Sequence, residues 1–386
     1  MSGARDHRPS IESYGLAAVV AALMLTGLGL VLVYSASGVR SAERVRPGDA
    51  EFYLRQQLTW TLVAVIGMIA CARIDFRRWG RGGRTLLLIA AALLVAVLFV
   101  GTAWNNSRRW IRFAGFGFQP SELAKVAVIV FVAAEVCRLG PRIRSYFGFL
   151  SIFVPLGVIC ALVFVEPDFG TTLFIAAIGL AMMFAGGTRP AHIGVTMAPL
   201  GAALGVAVLT MGSMRHVLSR FDFFFGGDVH PQVKQSLIAI GSGGVFGRGL
   251  GAGAAKLGFV PESASDFIFA VVGEELGLVG SLLVLALYAG FVWCGLRVCL
   301  ASLRVSRFGF FLSLGIVFMI GFQALFNIAV VTGVAPPKGI ALPFLSAGGT
   351  SAVVLLSAVG ILYNVAVTCE RERRSEVLDP VEAPTW

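Results

Sequence analysis

Seven charged residues stand inside or beside long apolar stretches, and they are the first candidates for chemistry: Lys125, Glu135, Asp168, Asp266, Glu274, Glu275 and Lys338. A charge at membrane depth is costly unless paired, so such a residue reads first as functional. A second group lies in the segment WNNSRRWIRFAGFGFQPSELAK, residues 104–125. Arg108, Arg109 and Arg112 with Trp104 and Trp110 fit a membrane-interface belt. Three arginines also suit bidentate contacts to phosphate oxygens. Pro120 followed by Ser121 and Glu122 predicts a helix start with Ser121 as N-cap. Such a start aims backbone N–H groups at an anion, with Lys125 one turn further on. Opposite a basic cluster of this kind, the Asp266 carboxylate could take a proton from a hydroxyl nucleophile. Arginine and lysine could stabilise a diphosphate leaving group. Residue types alone leave two classes open. One is glycosyl or phosphoryl transfer from a lipid diphosphate. The other is proton-coupled transport, which also puts acids and bases in the membrane.

The elements that must position these residues follow from composition. Of 386 residues, 57% are hydrophobic and only 13% charged, far from a soluble domain. A soluble enzyme, a disordered regulator and a secreted disulfide scaffold are excluded. Ten apolar runs lie near 15–37, 56–72, 85–103, 121–137, 148–165, 170–186, 191–212, 267–296, 309–332 and 349–368. Lipid offers no partner for free backbone groups, so each run must be a helix. The expected fold is an all-α integral membrane protein, a single domain over 1–386 with about ten transmembrane helices. The first run is too long for a signal-peptide core and lacks a cleavage pattern, so it reads as a retained helix.

Ten spans place both termini on one side. With the termini in the cytoplasm, the short inner segments hold 17 Lys and Arg and the much longer outer segments 13. The positive-inside rule therefore puts residues 1–14 and the tail 369–386 in the cytoplasm. The net charge of +10 reflects these loop residues, which explains it without a nucleic-acid partner. One long outer loop remains, 213–266, containing the glycine series IGSGGVFGRGLGAG at 240–253. It is either a tightly turning loop or a set of backbone amides approaching an anion. No P-loop or dinucleotide string is present. On this topology Lys125, Asp168, Asp266 and Lys338 gather near the outer face, and the glutamates of the eighth run reach deeper. A helical count from Asp266 places Glu274 about 80° away and Glu275 nearly opposite, which favours Glu274 beside Asp266. The six cysteines and four histidines form no metal-ligand or disulfide pattern.

Six strings then become recognisable in order: VYSAS (33–37), RRWIRFAGFGFQPSELAK (108–125), EPDFGTTL (166–173), QSLIAIGSGGVFGRGLGAG (235–253), DFIFAVVGEELGLVG (266–280) and PPKGIALPFLSAGGTS (336–351). In these the chain resembles the SEDS family of bacterial membrane proteins, the group containing FtsW and RodA. Lys338 in PPKG and Gly273 in VVGEELG look more like the septal, FtsW-type branch. The resemblance implies a peptidoglycan glycosyltransferase of the inner membrane. It would polymerise lipid II through β-1,4 bonds at the outer face, release undecaprenyl diphosphate and act at the division septum. It implies Asp266 as general base, and Arg109, Lys125 and Lys338 as diphosphate or sugar contacts. Arg108, Asp168, Gln235 and Glu274 are the remaining candidate substrate contacts. A divalent cation (Mg or Mn) could help hold the diphosphate, although the sequence shows no site for one. The implied partners are lipid II, a class B penicillin-binding protein, other divisome proteins and membrane lipids. Alternatives are a RodA-type elongation polymerase, a lipid II flippase and a non-catalytic scaffold. The chain departs from the family pattern at Ala264 and Ser265, where His-Thr is usual, and at Ala347, where an aromatic is usual. The first change removes an imidazole that could have ordered the loop or tuned Asp266.

Overall fold

The structure, a computed structural model, describes residues 10–40, 52–104, 107–113, 116–210, 230–253 and 264–378. The expected N-terminal segment, the outer loop and the tail therefore lie partly outside the described residues. The described helices are α1 (Ile11–Arg40), α2 (Phe52–Arg73), α3 (Phe76–Val100), α4 (Pro120–Leu139), α5 (Tyr146–Val165), α6 (Phe169–Ala185) and α7 (Pro190–Thr210). They continue with α8 (Pro231–Ser242), α9 (Ile268–Glu275), α10 (Gly277–Ser302), α11 (Arg307–Val331) and α12 (Gly349–Leu378). The protein is an all-α membrane-type bundle. Among the described residues, seven helices are long and apolar enough to cross a membrane: α1, α2, α3, α5, α10, α11 and α12. The other three runs are helical too. Of these, α4 carries Glu122, Lys125, Glu135 and Arg138, and α6 has only 17 residues.

α2 lies along α12, α1 packs against α10 and α12, and α4 is enclosed by α3, α5, α6 and α11. The ends of the chain's bundle meet on one side, where the Ile11 N–H donates to Glu370 Oε2 at 3.0 Å. On the same side Asn364 ties α2 to α3. It donates to the Ala72 carbonyl and accepts from the Phe76 N–H, both at 2.8 Å. The side opposite these contacts is called the site side below.

Three departures from the sequence reading have physical causes. Helix α3 begins at Phe76, well before the expected 85, because Asp75 caps it by accepting from the Arg77 N–H at 2.9 Å. The arginines of 77–84 thus sit on a helical turn.

The segment after α3 is a small antiparallel sheet, β1 (Thr102–Trp104), β2 (Ser107–Phe113) and β3 (Phe116–Phe118), in the order β1-β2-β3. The Thr350 hydroxyl pins it to α12, donating to the Gly117 carbonyl at 2.8 Å.

The eighth run is not one helix. It breaks at Leu276, and Gly277 takes φ +67. The glycine series closes the break. Arg248 and Gly249 N–H donate to the Glu274 and Glu275 carbonyls, both at 3.0 Å. Leu278 and Val279 N–H donate to the Gly244 and Val245 carbonyls at 3.0 and 3.1 Å. These loop amides and carbonyls are spent on backbone pairing, so the anion-binding alternative for them falls. Helix α10 is by itself about 39 Å long, enough to cross a bilayer. Glu274 and Glu275 therefore precede the span instead of lying inside it.

Gly247 takes φ +78, and a Cβ there would overlap the Glu275 carbonyl. Gly247→Ala is therefore expected to destabilise the fold by roughly 1–3 kcal/mol. Thermal unfolding in detergent measures this; an unchanged midpoint would show that the loop does not hold the break.

Candidate functional site

The site side is organised by α11. Gln323 and Asn327, one turn apart on this apolar helix, are both 1% exposed. The Gln323 amide donates to the Ala341 carbonyl at 2.8 Å. The Asn327 amide donates to two carbonyls at once, Ile340 at 2.6 Å and Asp266 at 2.8 Å. Tyr288 of α10 holds the same irregular segment through the Pro343 carbonyl. Residues 335–348 are thus fastened to the bundle, and Asp266 is fastened to them. A Cβ on Gly339 would overlap Asp266 Oδ2, so the carboxylate rests directly on that glycine. Lys338, the preceding residue, runs along the start of α6. Its stem lies against Gly170 and its Nζ is 5.7 Å from the centre of the Phe169 ring.

Asp168 caps α6, accepting from the Thr171 N–H at 3.2 Å and the Thr171 hydroxyl at 2.9 Å. Arg109 reaches it from β2, with Nη1 at 3.7 Å from Asp168 Oδ2. Arg109 Nε donates to the Glu166 carbonyl at 3.1 Å, and its Nη2 donates to the Pro167 carbonyl. A connected line of groups results, from Asp266 through Gly339, Lys338 and Gly170 to Asp168 and Arg109. The Glu166 side chain is buried behind Arg109, and neither carboxyl oxygen has a hydrogen-bond partner among the described residues. Burial, reinforced by neighbouring Asp168 and opposed by Arg109, pushes its carboxyl up to about 8.

Lys125 lies one layer deeper. It is 3% exposed, 2.9 Å from Glu122 Oε1, and donates to Gln323 Oε1 at 3.1 Å. Its Nζ also faces the Phe174 ring at 5.4 Å. The helix start differs from expectation. Gln119 occupies the cap position, Pro120 is the first helical residue, and the Ser121 hydroxyl is buried without a partner among the described residues. Glu122, in the first turn, supplies the negative charge that this helix end favours.

Other candidates fall elsewhere. Strand alternation puts Arg108 and Arg109 on opposite faces of β2, so they cannot grip one anion together. Arg108 turns back to α3, donating to the Leu98 carbonyl at 3.3 Å. Glu274 is seated in the glycine loop, 3.7 Å from Arg248 Nη1. The helical count from Asp266 does not apply, because Asp266 precedes α9. Glu275 accepts the Ser35 hydroxyl at 2.6 and 2.8 Å, which ties the VYSAS end of α1 to the break. Gln235 lies half-buried on α8, which docks on α11 through Ser236 Oγ to the Val331 carbonyl at 2.6 Å. Sequence reasoning missed Glu122, Glu166, Gln323 and Asn327. Two amides four residues apart inside FQALFN carried a readable signal, since buried amides demand partners.

Lys125→Met alone is expected to cost about 3–5 kcal/mol, because Glu122 is left buried and unpaired. Adding Glu122→Gln should return most of that, as followed by thermal unfolding of both variants. A single variant as stable as wild type would mean that Lys125 is not there to balance Glu122.

The family model described as "Cell cycle protein", FTSW_RODA_SPOVE, matches residues 16–371. A Geobacter metallireducens protein named "Probable peptidoglycan glycosyltransferase FtsW" is 38% identical, over 92% of this chain and 95% of its own. "Stage V sporulation protein E" of Bacillus subtilis is 37% identical, over 90% of this chain and 95% of its own. Among solved structures, a chain from a peptidoglycan synthase complex that coordinates polymerisation and crosslinking matches with TM-score 0.74. It is 23% identical and covers 92% of this chain and 98% of that one. RodA of Thermus thermophilus matches with TM-score 0.63 at 22% identity, covering 91% and 95%. The two structures share the fold, and the match along nearly the whole sequence makes this chain a member of the FtsW/RodA/SpoVE family.

Proposed function

We propose that the chain is a peptidoglycan glycosyltransferase of the FtsW type, which polymerises lipid II at the outer face of the cytoplasmic membrane during septal wall synthesis. The observation that carries this reading is the join made by Asn327. One buried amide fixes the Asp266 base against the segment bearing Lys338, and Lys338 leads on to Arg109. In the reaction, an acceptor sugar hydroxyl attacks the anomeric carbon of the lipid-linked donor. Asp266 takes the hydroxyl proton as the new carbon–oxygen bond forms. The bond to the diphosphate breaks, and undecaprenyl diphosphate leaves with the electron pair. Lys338 and Arg109 stabilise its charge by hydrogen bonding and Coulomb attraction. Lys125 acts from below through Gln323, which holds residue 341 in place.

No preformed three-ligand cation site stands among the described residues, and a cation held chiefly by the diphosphate oxygens would need none. No three His, Cys, Asp or Glu side chains come together among those residues, and Asp168 and Glu122 are engaged by Arg109 and Lys125. A transpeptidase of the class B penicillin-binding type is the natural partner, since the related synthase structure concerns polymerisation coordinated with crosslinking. The cytoplasmic placement of both termini rests on the contact of Ile11 with Glu370, which brings the start of α1 and the end of α12 to one side, and on the distribution of basic residues.

The decisive assay is glycan polymerisation from lipid II by the purified chain with its transpeptidase. Asp266→Ala should lower the rate at least about a hundredfold with folding unchanged, the usual scale for a positioned base. Equal polymer from both proteins would remove Asp266 from the chemistry. Lipid II transfer across vesicles without polymer would favour the flippase reading.

A further inference from the structure

We propose that Glu166 is a positioning residue for the Arg109 end of the site: a carboxyl kept neutral by its burial, which leaves Arg109 shared by backbone carbonyls and a single carboxylate, and so keeps this end of the site net positive toward a diphosphate. The inference rests on the reading of the site as a diphosphate-binding one.

Two acids flank one arginine here, and their surroundings differ. Asp168 accepts two hydrogen bonds from Thr171 and lies 3.7 Å from the Arg109 guanidinium. Glu166 is 1% exposed and neither of its carboxyl oxygens is hydrogen-bonded among the described residues. An ionised carboxylate placed so would be desolvated with no hydrogen bond and only the through-space attraction of Arg109 in return; burial outweighs that attraction, and the group takes up a proton instead.

The charged groups around Glu166 come from each neighbouring element. Asp168 comes from the same turn and Arg109 from β2. Lys338 lies against Gly170, at the start of α6. On α4, which packs on α5 and α6, Glu122 and Lys125 are paired with each other. With Glu166 neutral, Arg109, Asp168 and Lys338 sum to one positive charge. With Glu166 ionised the four groups sum to zero. A second anion would also compete with the carbonyls of Glu166 and Pro167 for the guanidinium that they aim. The neutral form is present below about 8 and is lost above it.

The test compares wild type with Glu166→Gln, which fixes the neutral shape, and Glu166→Ala, which empties the space. Wild-type polymerisation from lipid II should fall several-fold as pH rises through about 8, mainly through a rising KM. Glu166→Gln should lack that alkaline fall, and it should restore activity that Glu166→Ala loses. A Gln variant with the wild-type pH profile would overturn the proposal.

Two further readouts stand apart from polymerisation. Infrared spectra should show a protonated-carboxyl band in wild type at neutral pH that Glu166→Gln lacks. Between the ordinary value of 4.5 and about 8, the folded chain keeps a proton that the unfolded chain releases, so wild-type stability falls with pH. The melting difference between Glu166→Gln and wild type should therefore widen across that window. If no polymer forms from wild type, the polymerase reading is at fault, while the infrared band and the melting difference still decide whether Glu166 holds a proton. Absence of both would overturn its neutral state.

Discussion

A single buried carboxamide carries much of the site side. Asn327 sits with Gln323 on a helix that is mostly apolar, and its two N–H bonds go to carbonyls of two separate segments. Irregular backbone within a membrane protein is tolerated only where its polar groups find partners inside the protein. Residues 264–267 and 335–348 are both irregular, and their own bonds leave the carbonyls of 266, 340, 341 and 343 to be met from outside. Gln323, Asn327 and Tyr288 do this from regular helices, whose own backbone is already paired. The precision of Asp266 relative to Lys338 is thus inherited from the rigidity of α10 and α11. Chemistry placed on loops becomes as well positioned as chemistry placed on a helix.

Four of the buried acids follow a common pattern. Glu135 is met by Arg84 and Arg138, Glu370 by Arg373 and Arg374, Glu274 by Arg248, and Asp168 by Arg109. In each case the carboxylate is packed inside, and the arginine reaches it from a more exposed position. Arginine suits this task because its stem packs on apolar surface while its head stays hydrated. Lys125 and Glu122 break the pattern, because both are buried. A buried pair contributes little net stability but is costly to split, which makes it a device of position more than of strength. It lies directly beneath Gln323, so it bears on residue 341 and not on the surface. Exposed pairs such as Arg77 with Glu372 contribute far less to either end.

Much of this was legible in the sequence, and the failures have definite causes. The apolar runs were readable because a bilayer imposes helix on any long apolar stretch. Lys125, Asp168, Asp266 and Lys338 stood out because lipid makes each charge costly. The sheet of 102–118 was hidden by its length, since two of its three strands have only three residues and show no period. The break at Leu276 was hidden because the residues that permit it lie elsewhere in the chain. Gly277 alone is an ordinary glycine in an apolar run. Only its contact with the glycines of 243–249 shows that two segments fold into one joint. Pairings such as Ser35 with Glu275 are likewise properties of the tertiary structure. Glu166 could not be singled out, because nothing in EPDFG distinguishes a solvated glutamate from one sealed behind Arg109.

The two departures from the family pattern turn out to be neighbours. The Ala347 N–H donates to the Ala264 carbonyl at 2.9 Å, and the Ser346 hydroxyl donates to the Ser265 carbonyl at 2.6 Å. Ser346 also accepts from the Leu342 N–H at 2.8 Å, closing the turn that precedes α12. None of these bonds uses the side chains of residues 264, 265 or 347. An imidazole before Asp266 is therefore not required to order its loop here, because backbone groups and Ser346 already do so. Small residues on both sides of the contact are mutually consistent: with Ala at 264 and at 347, the two segments meet through backbone, with no ring between them. The main chain of Asp266 keeps its place, because Asn327 holds its carbonyl and the flanking contacts run through backbone groups and Ser346.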